Sequence, residues 1–482
     1  MATSLNHSTS GEPWLSSDRR NRVISLLDSS IFYGLMVVIT LTAIPYGTVD
    51  PWSQALFECA VFFLTLLWII HGFILGSWFV GNVRLLAPLA GLVLLAAGQY
   101  VAWWKTDLAG EQVWFVLSAD PFETRAFVFR MAALVLAALL VIRFTSTTKR
   151  LGILVHAIIV VAVGTAVFGI ARQAMQHGQG FVLSRLQPGQ GYGQFINKNH
   201  FSFLIEMGFG LAAGVAFMQK GRRDRVLLYA SALLLMWTTI VLSNSRGGLL
   251  TITVQVIFAA LLFVNSKRLG REQGAMQTGW IRWTRSIAVT TVTVGVLLII
   301  IVTGVAWLGG DQLATGMETA TGEMIGVDRS ELHEAARRRD IWRATWRMFK
   351  AHPIAGAGLG GYWAEVPRYH AASGILTPQQ AHNDYLELLA SGGVLGVALL
   401  VWFTIAIVRQ ARQSVITADG FQRAVLLGAI ISVVGAGVHS IVDFGLHITI
   451  NALVFVALLG IISLKTMRGD DHATVPSGYG SL

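Results

Sequence analysis

Four short stretches of this 482-residue chain combine residue types that can do chemistry. The first is Ala381-His382-Asn383-Asp384-Tyr385, which sets an imidazole, an amide and a carboxylate where a polar segment runs into an apolar one. A neutral histidine near pH 7 can take a proton from a hydroxyl as general base. Asn383 and Asp384 are also good caps, so the stretch reads equally as an ordinary helix start. The second is Ser243-Asn244-Ser245-Arg246-Gly247-Gly248, a short turn between two apolar runs. Held close to a membrane face, the planar guanidinium of Arg246 suits phosphate oxygens; it also suits snorkelling to lipid headgroups. The third is segment 172–200, with Arg185, then Gly189, Gly191, Tyr192 and Gly193, then Asn197-Lys198-Asn199-His200. Amides bind sugars, and Arg and Lys bind anionic heads; the plainer reading is a glycine-rich loop with Asn199 capping the next helix. The fourth is His439 to His447. His439 and Asp443 stand four apart and would share a helix face. With His447 they resemble a metal site, but no HExxH pattern is present, and Phe444-Gly445 would break the helix before His447. A buried His–Asp hydrogen bond between helices is the simpler account.

The elements that must position these groups are membrane helices. The chain is 54% hydrophobic and 13% charged, against about 25% charged in soluble domains. Apolar runs of spanning length recur near 25–45, 54–75, 84–104, 126–143, 151–171, 200–218, 226–243, 248–264, 286–308, 385–408, 424–442 and 449–466. Backbone groups in lipid must be satisfied within the segment, so each run is expected to be a helix. The expectation is an all-α polytopic membrane protein of about twelve transmembrane helices with one long outer loop. A net charge of +10 would suggest nucleic acid in a soluble protein; here the basic residues lie mostly between apolar runs and set topology, so no nucleic-acid partner is expected. Their bias puts both termini inside. The division is a tail (1–24), nine spans (25–308), an outer loop (309–384), three spans (385–466) and a second tail (467–482). The polar start lacks the short apolar region and cleavage site of a signal peptide. The lone Cys59 excludes an intramolecular disulfide.

Within the outer loop, Asp328 and Glu331 fit a capping box for a helix. Trp342, Trp346 and Phe349 form an apolar stripe along it, Pro353 ends it, and several arginines occupy its other side. Such a helix lies in the membrane interface or packs on the bundle. Glycines 356, 358, 360 and 361 follow as a turn-rich hinge, without the Gly-Lys-Ser/Thr of a phosphate loop. Glu58, His71, Gln99, Arg130, His156, Glu206 and Glu387 fall within the spans, where polar groups usually face the bundle interior. They make transport a competing reading, but no pair of spans looks interrupted near its middle as transporters favour.

These residues resemble the O-antigen ligase and polymerase superfamily of bacterial membrane proteins. Its signature, His-Asn, nine residues and Gly-x-x-Gly, reads here as His382-Asn383 and Gly393-Val394-Leu395-Gly396. His352 to Gly360 resembles the stretch ahead of that histidine, Ser245-Arg246-Gly247 the outer-turn arginine, Asn197-Lys198-Asn199-His200-Phe201 the Asn-x-Asn element, and His439 to Phe444 the closing His-Ser-x-x-Asp-Phe. The resemblance spans about 180–445. It implies a GT-C-like glycosyltransferase of the inner membrane whose long loop is periplasmic. Such an enzyme takes a glycan from undecaprenyl diphosphate and passes it to an acceptor hydroxyl of lipid A-core or a growing polysaccharide, with inversion and with no cofactor or metal. Residue by residue, it makes His382 the activator of the acceptor and Arg246 the holder of the diphosphate, with Arg185 and Lys198 beside it. Asn197, Asn199, His200, Asn383, Asp384, His439 and Asp443 are its supporting or substrate-binding set. Ser391-Gly392 departs from the Glu-Gly of many members. Polymerisation, protein O-glycosylation, transport of lipid-linked sugars and a non-catalytic assembly role stay open as alternatives.

Overall fold

The computed structural model describes residues 17–78, 81–106, 110–175, 183, 186, 191–218, 223–271, 338–370 and 378–464. The expected span 286–308, the first part of the outer loop and the tail 467–482 lie outside the described residues, as does Arg185.

The other apolar runs all fall on helices: α1 (Ser17–Thr42), α2 (Pro51–Leu75), α3 (Ala87–Tyr100), α4 (Pro121–Phe144), α5 (Thr148–Met175), α6 (Lys198–Met218), α7 (Arg223–Leu242), α8 (Arg246–Arg271), and, after α9 (Arg338–Ala351) and the one-turn α10 (Tyr362–Glu365), α11 (Asp384–Thr417), α12 (Gly420–His439) and α13 (Thr449–Ser463). Seven of these (α1, α2, α4, α5, α7, α11 and α12) are long and apolar enough to cross a membrane. The others among the apolar runs include three shorter apolar helices, at Ala87–Tyr100, Arg246–Leu262 and Thr449–Ser463. Over the described residues the chain is a polytopic, mostly helical membrane protein.

Two local expectations change. Helix α3 stops at Tyr100 rather than running to 104, and a two-stranded antiparallel ribbon follows, β1 (Trp103–Thr106) with β2 (Gln112–Phe115), Trp103 opposite Phe115. Its aromatic residues suit a strand as well as an apolar helix. Helix α1 begins at Ser17, inside the stretch read as a tail. There the Arg20 guanidinium donates to the carbonyl of Ile74 at 2.9 Å, meeting one of the acceptors that a helix end leaves open.

Helix α6 is the axis of the bundle. Residues 200–215 are buried without a break, with α5, α7, α8, α12 and α13 packed around it. The closest approach is to α12, where a Cβ at Gly214 would run into the backbone of Gly428. Ser432 Oγ donates to the Met207 carbonyl at 2.6 Å. Small residues let the two backbones meet, the usual device for packing helices in lipid.

Helix α11 is broken near its start. Gly393 has φ 61°, ψ −160°, and the segment after α9 enters the gap. Val394 N donates to Pro353 O at 2.9 Å, Ala357 N to Ala390 O at 3.0 Å and Gly358 N to Ser391 O at 3.0 Å. Gln99 on α3 staples this crossing: its Nε2 donates to Ser391 O at 2.8 Å and its Oε1 accepts from Leu359 N at 2.9 Å. The break involves one helix, nine residues after its start at Asp384, and so differs from the paired interruptions that transporters favour. The glycines at 353–361 and at 392–396 are therefore two halves of one joint. A Cβ at Gly393 would collide with the Ile354 carbonyl, and its φ is one that side chains disfavour. Gly393→Ala is expected to cost at least about 2 kcal/mol of stability, seen as a lowered melting temperature of the detergent-solubilised protein.

Helix α9 docks through Ala344 and Met348 onto Tyr362, Ala381 and Ala390. The buried stripe is Ile341, Ala344, Thr345 and Met348, rotated from the expected Trp342–Trp346–Phe349. Small Ala344 allows close approach, and Trp346 is left 48% exposed. Arg343, Arg347 and Lys350 point away from the bundle.

Candidate functional site

One end of the bundle gathers the polar stretches. Thr449 Oγ1 donates to Thr48 O at 2.7 Å, Gln194 Nε2 to Ala43 O at 2.9 Å and Asn451 Nδ2 to His200 O at 3.1 Å, which ties segments far apart in the chain. His382 sits there, one residue before the cap of α11. Asn383 is that cap, its side-chain oxygen accepting from the amides of Tyr385 and Leu386, each at 3.0 Å. His382 itself has φ 49°, a left-handed conformation uncommon for a side-chain-bearing residue and frequent at functional sites. Its Nδ1 lies 3.3 Å from Asp443 Oδ1, and its ring stands edge-on to Phe444 with centroids 4.9 Å apart. With Nδ1–H turned to the carboxylate, Nε2 is the basic nitrogen.

Asp443 is 1% exposed. Burial by itself pushes its carboxyl up, but the hydrogen bond from His382, with the nearby His200 and His439, holds it well below the usual carboxylate range. It is ionised and acts as an acceptor. Its other oxygen accepts from Asn199 Nδ2. Asn199 Oδ1 in turn accepts from Ser245 Oγ at 2.7 Å, and Ser245 Oγ accepts from Gly248 N at 3.1 Å, capping α8. Arg246 is the first residue of that helix. A continuous hydrogen-bonded line thus runs from the His382 imidazole through Asp443 and Asn199 to the residue next to Arg246.

Residues 231–401 match the family model described as O-antigen ligase. The match supports membership of the O-antigen ligase/polymerase superfamily, as the motifs suggested. It covers Arg246, His382 and Gly393 to Gly396; Asn199 and Asp443 lie outside it and are joined to it by the hydrogen bonds above. No curated protein matches the chain significantly.

Asn197, rather than Asn199, caps α6, accepting from Asn199 N at 2.8 Å; this leaves the Asn199 side chain to bridge Asp443 and Ser245. Lys198 is exposed at the start of α6. His200 is buried against Phe444, centroids 4.6 Å apart. The Asp384 amide donates to Ser440 O at 2.9 Å, which ties the start of α11 to the end of α12.

His439, Asp443 and His447 do not form a common group. Helix α12 ends at His439, one last turn follows in which Asp443 N donates to His439 O at 3.0 Å, and the His439 and Asp443 side chains take different partners. His439 Nδ1 instead meets Glu206 on α6 at 2.8 Å, both side chains fully buried. Its ring fills the space that a Cβ on Gly247 would need, with Nε2 at 2.8 Å from that position. The pair supports the first turn of α8, next to Arg246. His447 lies 3.5 Å from Glu387. Burial first, then the nearby Arg130, push His447 down to about 4, so the contact is not an ion pair.

Sequence reasoning missed three contributors. Phe444 is a shared wall for His200, His382 and His447; nothing local marks it, since only the fold brings those rings together. Trp342 and Glu387 both reach Ala381, the residue before His382. The signal for Glu387 was its carboxylate within an apolar run, which faces the interior as such groups do. Trp342 was hidden inside an apparent hydrophobic stripe.

Proposed function

We propose that this protein is an inverting glycosyltransferase of the inner membrane, with about twelve spans, a GT-C-like fold and both termini cytoplasmic. It moves a glycan from undecaprenyl diphosphate to an acceptor hydroxyl on the periplasmic face. The observation that supports this reading is the line of contacts His382–Asp443–Asn199–Ser245, which links the His382 imidazole to the residue preceding Arg246. Asp443 orients the imidazole and favours its protonated form during reaction. His382 Nε2 takes the acceptor proton while the acceptor oxygen bonds to the anomeric carbon. The bond from that carbon to the diphosphate oxygen breaks on the opposite face. Arg246, with Arg185 and Lys198, offsets the charge left on undecaprenyl diphosphate. Asn197, Asn383 and His200 shape the surroundings. The reading favours ligation to lipid A-core or addition to a growing polysaccharide; protein O-glycosylation uses the same chemistry with another acceptor.

Reconstitution in vesicles tests the reading. The purified protein, given lipid-linked donor and candidate acceptors, is expected to form product and release undecaprenyl diphosphate in equal amounts. Movement of lipid-linked sugar between leaflets without turnover would instead make it a transporter. Turnover is expected to persist in excess chelator, because the arginines supply the positive charge; loss in chelator with recovery on adding a divalent ion rejects that part of the mechanism.

A further inference from the structure

The backbone beside His382 is held in an unusual way. The Ala381 amide N–H donates to Glu387 Oε2 at 2.8 Å, and the Ala381 carbonyl accepts from Trp342 Nε1 at 3.0 Å. Both polar groups of one buried residue are thus satisfied by side chains, one from the first turn and a half of α11 and one from α9. Ala381 is fully buried. Immediately after it, His382 adopts φ 49°, and Asn383 enters the helix as its cap. A left-handed residue persists only where its surroundings over-determine it. On the far side the Asp384 amide is tied to Ser440 O. The Ala381 contacts are the anchors on the near side.

Building on the proposed glycan transfer, we propose that Glu387 and Trp342 are positioning residues. They clamp Ala381 from both sides and hold His382 in its left-handed conformation, with Nδ1 on Asp443 and Nε2 turned to the acceptor. Trp342 belongs to α9, in the segment between the membrane-crossing helices. The clamp therefore makes the aim of the base depend on α9 being docked. Displacing a reacting group by about 1 Å can cost 10²-fold in rate, so a lost anchor acts on turnover more than on substrate affinity.

The test uses the full-length protein in vesicles with a lipid-linked donor, measuring kcat, KM for the donor, and melting temperature. Trp342→Phe keeps the ring and removes the N–H; kcat is expected to fall about tenfold with KM within about twofold and little change in melting temperature. Glu387→Leu removes the acceptor and is expected to lower kcat about 100-fold. Glu387→Gln keeps a carbonyl oxygen facing the Ala381 amide and is expected to recover most of that loss. The Trp342→Phe, Glu387→Leu double variant should lose less than the product of the single effects, because both act on one backbone segment. Wild-type kcat in Trp342→Phe, or equal losses in Glu387→Gln and Glu387→Leu, overturns the clamp while leaving the transfer reaction intact. If Glu387→Leu does not fold, Trp342→Phe and Glu387→Gln still decide. Absence of turnover in the wild type overturns the transfer reading and the clamp with it.

Discussion

His382→Ala is expected to abolish glycan transfer in reconstituted vesicles, with turnover lowered about 10³-fold or more. General-base catalysis contributes about 10²–10⁴-fold, and no neighbouring imidazole can take over. His200 lies beneath Phe444, His439 is committed to Glu206, and His447, pushed down to about 4 by burial, is too weak a base. Binding of the lipid-linked donor should be nearly unchanged, because the imidazole acts on the acceptor. His382→Gln is expected to be as inactive as the alanine variant: it can hydrogen-bond Asp443 but cannot accept a proton at neutral pH. The measurement is single-turnover product formation with pre-bound donor. Retention of more than about a tenth of wild-type turnover by His382→Ala would be incompatible with an acid–base role of this size, and the base would have to be sought elsewhere.

Arg246→Ala is the second large effect. A fixed cation at a departing diphosphate is an electrostatic device, and removing one such group typically costs about 10²–10³-fold in kcat. Donor affinity should weaken as well, since the same guanidinium meets the diphosphate before and after bond cleavage. Lysine is a poor substitute: it supplies charge without the planar pair of donors, so Arg246→Lys is expected to stay at least tenfold below wild type. The short cap before Arg246 makes the prediction sharp. Ser245 caps α8 and is hydrogen-bonded to Asn199, so the backbone at 246 should keep its place when the side chain is cut. A melting temperature equal to wild type with turnover lost would locate the defect in chemistry. Equal turnover in Arg246→Ala and wild type removes the arginine from the mechanism.

The residues of the proposed site are singled out by the amino-acid order itself. His382, Arg246, Asn199 and Asp443 stand in polar islands between apolar runs, and the contrast of solvation alone marks such islands. Their pairing is not legible there. His439 and Asp443 look like partners because they are four apart, yet His439 meets Glu206 and Asp443 meets His382. Asp443 is 61 residues from the histidine it orients and 244 from the asparagine it accepts from. The Gly-x-x-Gly of the signature carries no structural meaning when read as a motif; in the fold Gly393 is the point where α11 opens to admit the segment after α9. Trp342 looks like one rung of an apolar stripe, and its N–H is what matters.

Amino-acid order alone therefore determined the solvent each segment prefers, the helices that lipid forces on the apolar runs, and the residue types available at their ends. These follow from short-range rules: transfer of side chains from water and satisfaction of backbone groups within one segment. The tertiary structure alone decided that Glu206 rather than Asp443 meets His439, that Asp443 meets His382, and that Ala381 is gripped from two helices. Those choices depend on distances between residues remote in the chain. They arise from close packing around α6, where buried groups such as Glu206 and Asp443 find their partners on remote segments.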